Sequence, residues 1–102
     1  MIIIVTRHAG AIDWLRAKGF GGDVVTHLTA KMIQPGNTYI GVLPLPIIQQ
    51  ILDAGSRFYL LVIPEVTLAQ RDCEMTPVEM DAAGAKLVEV KRIEVMPVEM
   101  PG

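Results

Sequence analysis

The chain lacks most of the residues that build disulfide frameworks, metal sites and membrane spans. Its single cysteine, Cys73, excludes an internal disulfide bond, and no paired-cysteine spacing of a zinc site is present. No apolar run reaches the roughly 20 residues that a bilayer-spanning helix needs, because Pro44, Pro46 and Pro64 interrupt the candidates. The first residues contain no basic region and so do not match a secretory signal. We therefore expect a cytoplasmic protein with no membrane contact, no bound metal and no cofactor.

The chain also has no large excess of positive or negative charge. The net charge is −2 at pH 7, with 9 lysine and arginine residues against 11 aspartate and glutamate residues. The protein has no overall positive charge that would attract long nucleic acid, so an anionic ligand needs a local cluster of cationic side chains. The acidic residues Asp13, Glu65, Asp72 and Glu74 are dispersed among predicted exposed positions, which argues against a two-metal nuclease.

Apolar residues, by contrast, are abundant. They make up 51% of the chain, and the mean hydropathy of +0.41 is high for 102 residues. The length predicts a single domain, residues 1–102, and the surplus of apolar surface predicts a partner subunit. Two prolines and a glycine in residues 96–102 predict a tail that is mobile unless a second subunit holds it.

A strand-loop-helix unit at the start organises the chain. The β-branched run at residues 2–5 stops at residues 6–10, Thr-Arg-His-Ala-Gly, and a helical pattern follows. Open α/β sheets bind ligands at such loops, beyond the carboxyl end of a strand. Arg7 offers a charged planar fork for a phosphate or carboxylate, and His8 can give and take a proton near neutral pH. Because the small residues 9–11 at the helix N-terminus would let an anion approach, the unit predicts an anion site with proton-transfer chemistry beside it.

Hydrophobic periodicity divides the rest of the chain into strands and helices. The later strands are predicted at residues 23–28, which should lie beside the first, and at 38–43, 57–63 and 86–95, the last with a bulge near 91–92. The helices are predicted at residues 11–18, 44–54 and 76–84, with ends at Gly19, Gly55 and Gly84, and residues 66–75 as a loop that could cover a ligand. This order predicts a small three-layer α/β fold with a mainly parallel sheet. The strands at residues 1–6 and 57–63 should be interior and buried on both faces.

Several side chains have two interpretations. Trp14 lies on the apolar stripe of the first helix, where it either packs in the core or stacks on a base. His27 is either a strand-end residue with a satisfied hydrogen bond or a catalytic group. Arg7 and His8 could also be ordinary loop residues, with one of them paired to Asp13. The sequence leaves these alternatives open.

Two known families resemble parts of this chain. Residues 6–10 are similar to the Arg-His-Gly motif that ends the first strand of histidine phosphatases, but they depart from it at Ala9, and that fold needs a second catalytic histidine and about twice the chain. The other resemblance covers nearly the whole chain. Its segments are Val5-Thr6-Arg7-His8-Ala9-Gly10-Ala11-Ile12-Asp13-Trp14, Ile40-Gly41-Val42-Leu43-Pro44, Ala54-Gly55-Ser56-Arg57-Phe58-Tyr59, and Thr76-Pro77 before Ala83-Gly84-Ala85-Lys86-Leu87-Val88-Glu89.

In combination these segments resemble a family of small CRISPR-associated proteins that accompany type III CRISPR systems. The family is similar in fold to the Rossmann-like CARF domains, which sense cyclic oligoadenylates. The resemblance implies a homodimeric ring nuclease that linearises cyclic tetra-adenylate and so switches off the antiviral response.

With that ligand, the predicted catalytic residues are Arg7 and His8. Cleavage needs a ribose 2′-hydroxyl to attack its neighbouring phosphate, a group that manages protons and a cation for the developing charge, and it needs no metal. The predicted ligand contacts are Thr6, Ala9, Gly10, Ala11, Trp14, Leu43, Pro44, Leu45 and Arg71, with Lys86 as a further candidate. The alternatives are a protein that binds the ring without cleaving it, as a sponge or sensor, a phosphoryl-transfer protein like the histidine phosphatases, and a structural CRISPR subunit.

Overall fold

The computed structural model describes residues 1–63 and 75–102. Its elements in chain order are β1 (Ile2–Val5), α1 (Ala9–Ala17), β2 (Asp23–Val25), a 3₁₀ turn (Ala30–Met32), β3 (Thr38–Gly41), α2 (Leu45–Asp53), β4 (Arg57–Val62), α3 (Pro77–Ala82) and β5 (Lys86–Val90). No helix within the described residues is long and apolar enough to cross a membrane. Arg71, Cys73 and nearly all of the predicted loop at residues 66–75 lie outside the described residues.

The strands form one sheet in the order β2-β1-β3-β4-β5. β1 to β4 are parallel, and β5 is antiparallel to β4. The predicted small Rossmann-like α/β fold with a mostly parallel sheet is confirmed, and β1 and β4 are interior strands. Burial on both faces holds for β1, whose residues 3–5 are buried. In β4, however, Phe58 is buried and residues 59–62 are only half-buried. Burial on both faces is therefore wrong for most of this strand, whose Leu61 lines a cavity.

Each face of the sheet has its own core, which gives the predicted three layers. α1 and α3 cover one face, with a core of Ile4, Ala11, Trp14, Leu15, Ile40, Met75, Met80 and Ala83. α2 covers the opposite face, with a core of Ile3, Val5, Leu28, Tyr39, Ile48, Ile51 and Phe58. Side chains alternate along β1, so Ile4 enters the first core while Ile3 and Val5 enter the second.

The C-terminal ends of the described helices and the start of α3 follow the sequence predictions. α1 ends with Gly19 at φ +94°, in a Schellman motif whose two hydrogen bonds return to the last turn of the helix. Gly55 and Gly84 end α2 and α3 in the same way. α3 starts with the predicted capping box, in which Thr76 and Glu79 each bond the backbone N–H of the other.

Every strand is shorter than predicted. β2 and β5 differ most, because each ends near the end of the strand with which it pairs. The strand predicted at residues 23–28 ends at Val25, opposite the end of β1 at Val5. The strand predicted at residues 86–95 ends at Val90, which pairs with Phe58 near the start of β4, and residues 91–92 form no bulge. Residues 91–102 have no regular secondary structure, and they expose the apolar side chains of Val95, Met96, Val98 and Met100.

Candidate active site

The chain leaves neighbouring strands in opposite directions after β1 and after β3. α1 follows β1 onto one face of the sheet, and α2 follows β3 onto the other. In a parallel sheet the two loops at such a switch point separate, and they leave a crevice at the carboxyl ends of the strands. The topology therefore places a ligand site beside the loops that follow Val5 and Gly41.

A cavity of about 770 Å³ lies at this edge of the sheet. Its volume falls within the roughly 300–1,000 Å³ of small-molecule sites. The lining is mostly aliphatic, with polar side chains from the loops after β1 and β2. The described residues that line it are Ile4, Val5, Thr6, Arg7, His8, Ala11, Leu15, Thr26, His27, Leu28, Ile40, Gly41, Val42, Leu43, Pro44, Ile47, Leu61, Ile63, Met75 and Met80.

The loop after β1 is held in place by Thr6. Its N–H donates to the carbonyl of Val25 (3.0 Å), and its Oγ1 accepts from the N–H of His8 (3.1 Å). The side chains of Arg7 and His8 are exposed and line the cavity. His8 also occupies the N-cap position of α1, although its side chain does not cap the helix. The two predicted catalytic residues and Thr6 therefore lie together at one cavity.

α1 begins at Ala9, two residues earlier than predicted, because the carbonyl of His8 already accepts the first helical hydrogen bond (3.3 Å). The positive end of the helix dipole consequently lies at this loop. Gly10 is buried, and a Cβ there would collide with the carbonyl oxygen of Met75. The space expected to admit an anion at this residue is thus filled by the chain that leads into α3. Ala11 is buried and lines the cavity, whereas Ala9 is exposed and is not among its lining residues.

The loop after β3 is apolar. Val42 is 70% exposed, Leu43 is half-buried and Pro44 is the N-cap residue of α2, and all three line the cavity. Leu45 is largely exposed and begins α2, but it is not among the lining residues. Two of the three ligand contacts predicted in this loop thus lie at the cavity. Val42 was not predicted, because a single exposed valine has no sequence pattern of its own.

Trp14 lies in the core rather than at the cavity. It is 4% exposed, and its indole N–H donates to Oδ1 of Asp81 on α3 (2.8 Å). The Nζ of Lys18 lies 3.1 Å from the same carboxylate oxygen. The indole hydrogen bond, followed by the bond from Lys18, lowers the pKa of Asp81 below its ordinary value of 3.8. The structure therefore favours the core interpretation of this tryptophan, which is not among the residues that line the cavity.

Thr26 and His27 also line the cavity. The strand predicted over residues 23–28 ends at Val25, and both residues follow it. The sequence left His27 open between a strand-end residue and a catalytic group, and it did not single out Thr26. Lys86 pairs with Val62 at the carboxyl end of β4, on the same edge of the sheet, but it is not among the lining residues. The predicted contact at residue 71 lies outside the described residues.

The ionisable side chains found at the site are basic ones. Arg7, His8 and His27 are the ionisable side chains among the described residues that line the cavity. No group of three potential metal-ligating side chains occurs within residues 1–63 and 75–102. The arrangement can bind a phosphate through the guanidinium and transfer protons through imidazole, beside aliphatic surface that suits a nucleobase.

Comparison with known proteins supports one of the two resemblances seen in the sequence. Residues 3–93 match the model of a family described as "Putative CRISPR-associated protein (Cas_VVA1548)". Searches of curated proteins and of solved structures gave no significant match. Because the matched segment covers nearly the whole chain, the protein belongs to this family of CRISPR-associated proteins.

Proposed function

We propose that this protein is a CARF-like ring nuclease, which binds cyclic oligoadenylate and linearises it to switch off type III CRISPR signalling in the cytoplasm. Cyclic tetra-adenylate is the expected substrate. The main support is the position of Arg7 and His8 at a ligand-sized cavity, at the switch point of a Rossmann-like sheet, in a chain of a CRISPR-associated family.

The proposed reaction is an internal transesterification. A ribose 2′-oxygen forms a bond to the adjacent phosphorus, and the bond from phosphorus to the 5′-oxygen breaks. The product is a linear oligoadenylate with a 2′,3′-cyclic phosphate and a free 5′-hydroxyl. His8 transfers a proton, while Arg7 and the N-terminal end of α1 stabilise the negative charge on the phosphate. Neither a metal nor a cofactor takes part.

We further propose that the active form is a homodimer. A cavity of about 770 Å³ has the size of a site for one drug-sized ligand, whereas the substrate ring contains four nucleotides. A two-fold dimer would place two cavities on a ring that can share its symmetry. Val42, which lines the cavity, is 70% exposed, and Leu45, which follows the lining residue Pro44, is 56% exposed. Apolar side chains in this loop could contact adenine or the second subunit.

Incubation of the protein with radiolabelled cyclic tetra-adenylate in EDTA tests the activity. Appearance of a linear product that ends in a 2′,3′-cyclic phosphate supports the ring nuclease. Recovery of the intact ring from a stable complex contradicts it and indicates a binding protein, a sponge or a sensor. Failure to bind the ring at all indicates a structural subunit.

Light scattering at micromolar concentration tests the dimer separately. We expect twice the mass of one chain, with or without the ring. A monomer under both conditions would contradict the shared site.

A further inference from the structure

His27 occupies the same cavity as the two proposed catalytic residues. β1 and β2 are parallel, Val5 pairs with Val25, and the bond from the N–H of Thr6 to the carbonyl of Val25 (3.0 Å) extends this pairing. Adjacent strands lie roughly 4.8 Å apart, so the residues just beyond the two strand ends are neighbours. His8 follows in the first of these two loops and His27 in the second, and both are exposed at the cavity.

The proposed reaction needs two proton transfers at separate places. The attacking 2′-oxygen loses a proton, and the departing 5′-oxygen gains one. In an in-line displacement these oxygens lie on opposite sides of phosphorus. One imidazole cannot reach both oxygens in a single step, so a second proton-transfer group on the other side of phosphorus would accelerate the reaction further.

The cavity restricts which side chain this group can be. Its ionisable side chains, among the described residues, are Arg7, His8 and His27. The guanidinium of Arg7 does not release its proton in a protein, and it is better suited to the phosphate. Within the described lining, the two histidines are the side chains that can exchange protons near neutral pH.

We infer that His27 is the second catalytic residue and forms an acid–base pair with His8, an inference that rests on the proposed ring nuclease function. The neutral imidazole of one histidine takes the proton of the 2′-hydroxyl as the new oxygen–phosphorus bond forms. The protonated imidazole of the other gives its proton to the 5′-oxygen as the old bond breaks. The two histidines end with exchanged protonation states, which proton exchange with water resets.

The first test is His27→Ala in the full-length protein with cyclic tetra-adenylate. We expect cleavage to slow by about 10²–10⁴-fold, the usual contribution of a general acid or base, while the dissociation constant of the ring stays within a few-fold. Because His27 is exposed, the thermal midpoint should not change. Thr29→Ala is the matched control, since Thr29 is exposed, lies two residues away and is not among the lining residues.

The second test uses a cyclic tetra-adenylate with sulfur in place of the bridging 5′-oxygen at each linkage. A thiolate leaves without being protonated, so cleavage of this ring does not need the general acid. We expect one of the variants His8→Ala and His27→Ala to cleave the sulfur ring at close to the wild-type rate. The other variant, which lacks the general base, should stay slow on both rings.

The outcomes separate this inference from the function on which it rests. If the wild type cleaves neither ring, the proposed ring nuclease function is wrong, and so is the acid–base pair that rests on it. If the wild type cleaves but His27→Ala matches it, only the role of His27 is overturned. Two further results would overturn the acid–base pair. One is that His27→Ala loses binding of the ring in proportion to its loss of cleavage. The other is that both histidine variants stay slow on the sulfur ring.

Discussion

The two ends of the sheet use their polar side chains differently. At the amino end, the hydroxyl of Tyr39 donates to the carbonyl of Met32 (2.7 Å) and accepts from the backbone N–H of Gln34 (2.8 Å) and from Nδ2 of Asn37 (3.2 Å). Ser56 Oγ donates to the carbonyl of Gln34 and accepts from the N–H of Asn37 (3.3 Å). These bonds join the loop before β3 to the start of β4, so the polar groups of this end stabilise the fold.

At the carboxyl end, Thr6 has a comparable role, because it holds the turn of its own loop. Arg7, His8 and His27 are exposed and line a cavity. Buried polar groups must be paired within the protein, whereas exposed groups at a cavity can bind a ligand. The comparison indicates that substitutions at the carboxyl end should reduce activity without loss of stability, and that those at the amino end should do the reverse.

The largest effect should come from His8→Ala. Loss of a proton-transfer group is expected to slow cleavage of cyclic tetra-adenylate by about 10²–10⁴-fold, with the ring still bound nearly as tightly. Single-turnover rates and a binding titration in EDTA measure the two quantities. If the variant cleaves at the wild-type rate, His8 is a structural loop residue and the contrast between the two ends loses its main support.

Arg7→Ala should have the next largest effect, on binding and cleavage together. Loss of a charge-assisted contact to phosphate costs about 1.5–3 kcal/mol, which corresponds to roughly 10–150-fold in the dissociation constant. Arg57→Ala is the matched control at the amino end, where the side chain is 69% exposed and lies 4.0 Å from a carboxylate oxygen of Glu89. Equal losses of binding in the two variants would point to general electrostatic attraction rather than to a phosphate site.

The sequence predicted the loop after β1 because its pattern is local. A β-branched run, a polar turn and a helix lie within about 17 residues, and that order determines where Arg7 and His8 lie in an open sheet. The helix ends were predicted for the same reason, since a capping residue or a glycine acts within one turn of the helix.

The sequence did not show the contacts that depend on distant parts of the chain, and so it left Trp14 and His27 with two interpretations each. Gly10 is needed because the chain at Met75 passes beside it, and Trp14 is held by Asp81, 67 residues away. His27 entered the site because β2 stops where its neighbour β1 stops, and a strand's own periodicity does not show where its partner ends. Contacts between residues that are this far apart in the chain leave no local pattern in the sequence.

At the amino end, Tyr39→Phe should reduce stability and leave cleavage unchanged. The ring of Tyr39 is fully buried, and removal of its hydroxyl would leave the carbonyl of Met32 and the N–H of Gln34 without this partner, at a cost of about 1–3 kcal/mol. The thermal midpoint should fall by several degrees. Tyr59→Phe is the control, because no hydrogen bond of its hydroxyl is found within the described residues and its half-buried ring lies edge-on to Phe20.

A loss of cleavage in Tyr39→Phe, under conditions in which the protein stays folded, would contradict the division of roles between the two ends of the sheet. It would mean that the amino end influences the cavity through the sheet. An unchanged thermal midpoint would instead show that water replaces the hydroxyl at no cost.

The smallest effect should come from Asp81, which contacts α1 from α3 and belongs to neither end. The indole of Trp14 and the ammonium of Lys18 both bond its carboxylate and lower its pKa below the ordinary 3.8. A carboxylate with a lowered pKa in the folded state stabilises the fold fully above its unfolded pKa, and it loses that contribution as the pH falls through the folded pKa. Asp81→Asn keeps an acceptor for the indole but removes the titrating charge. The wild type should therefore be slightly more stable than the variant near neutral pH, and the difference should shrink as the pH falls below 3.8.

Urea midpoints of both proteins across this pH range measure the difference, and cleavage measured near neutral pH should be equal in the two. Lys18→Gln removes the second of the two partners and should reduce the pH-dependent difference without abolishing it, because the indole bond ranks above the lysine as the cause of the lowered pKa. The effect is small because the carboxylate is half exposed to water, where screening weakens ion pairs. A difference that stays constant with pH would show that the contact acts through packing of the two helices and not through charge.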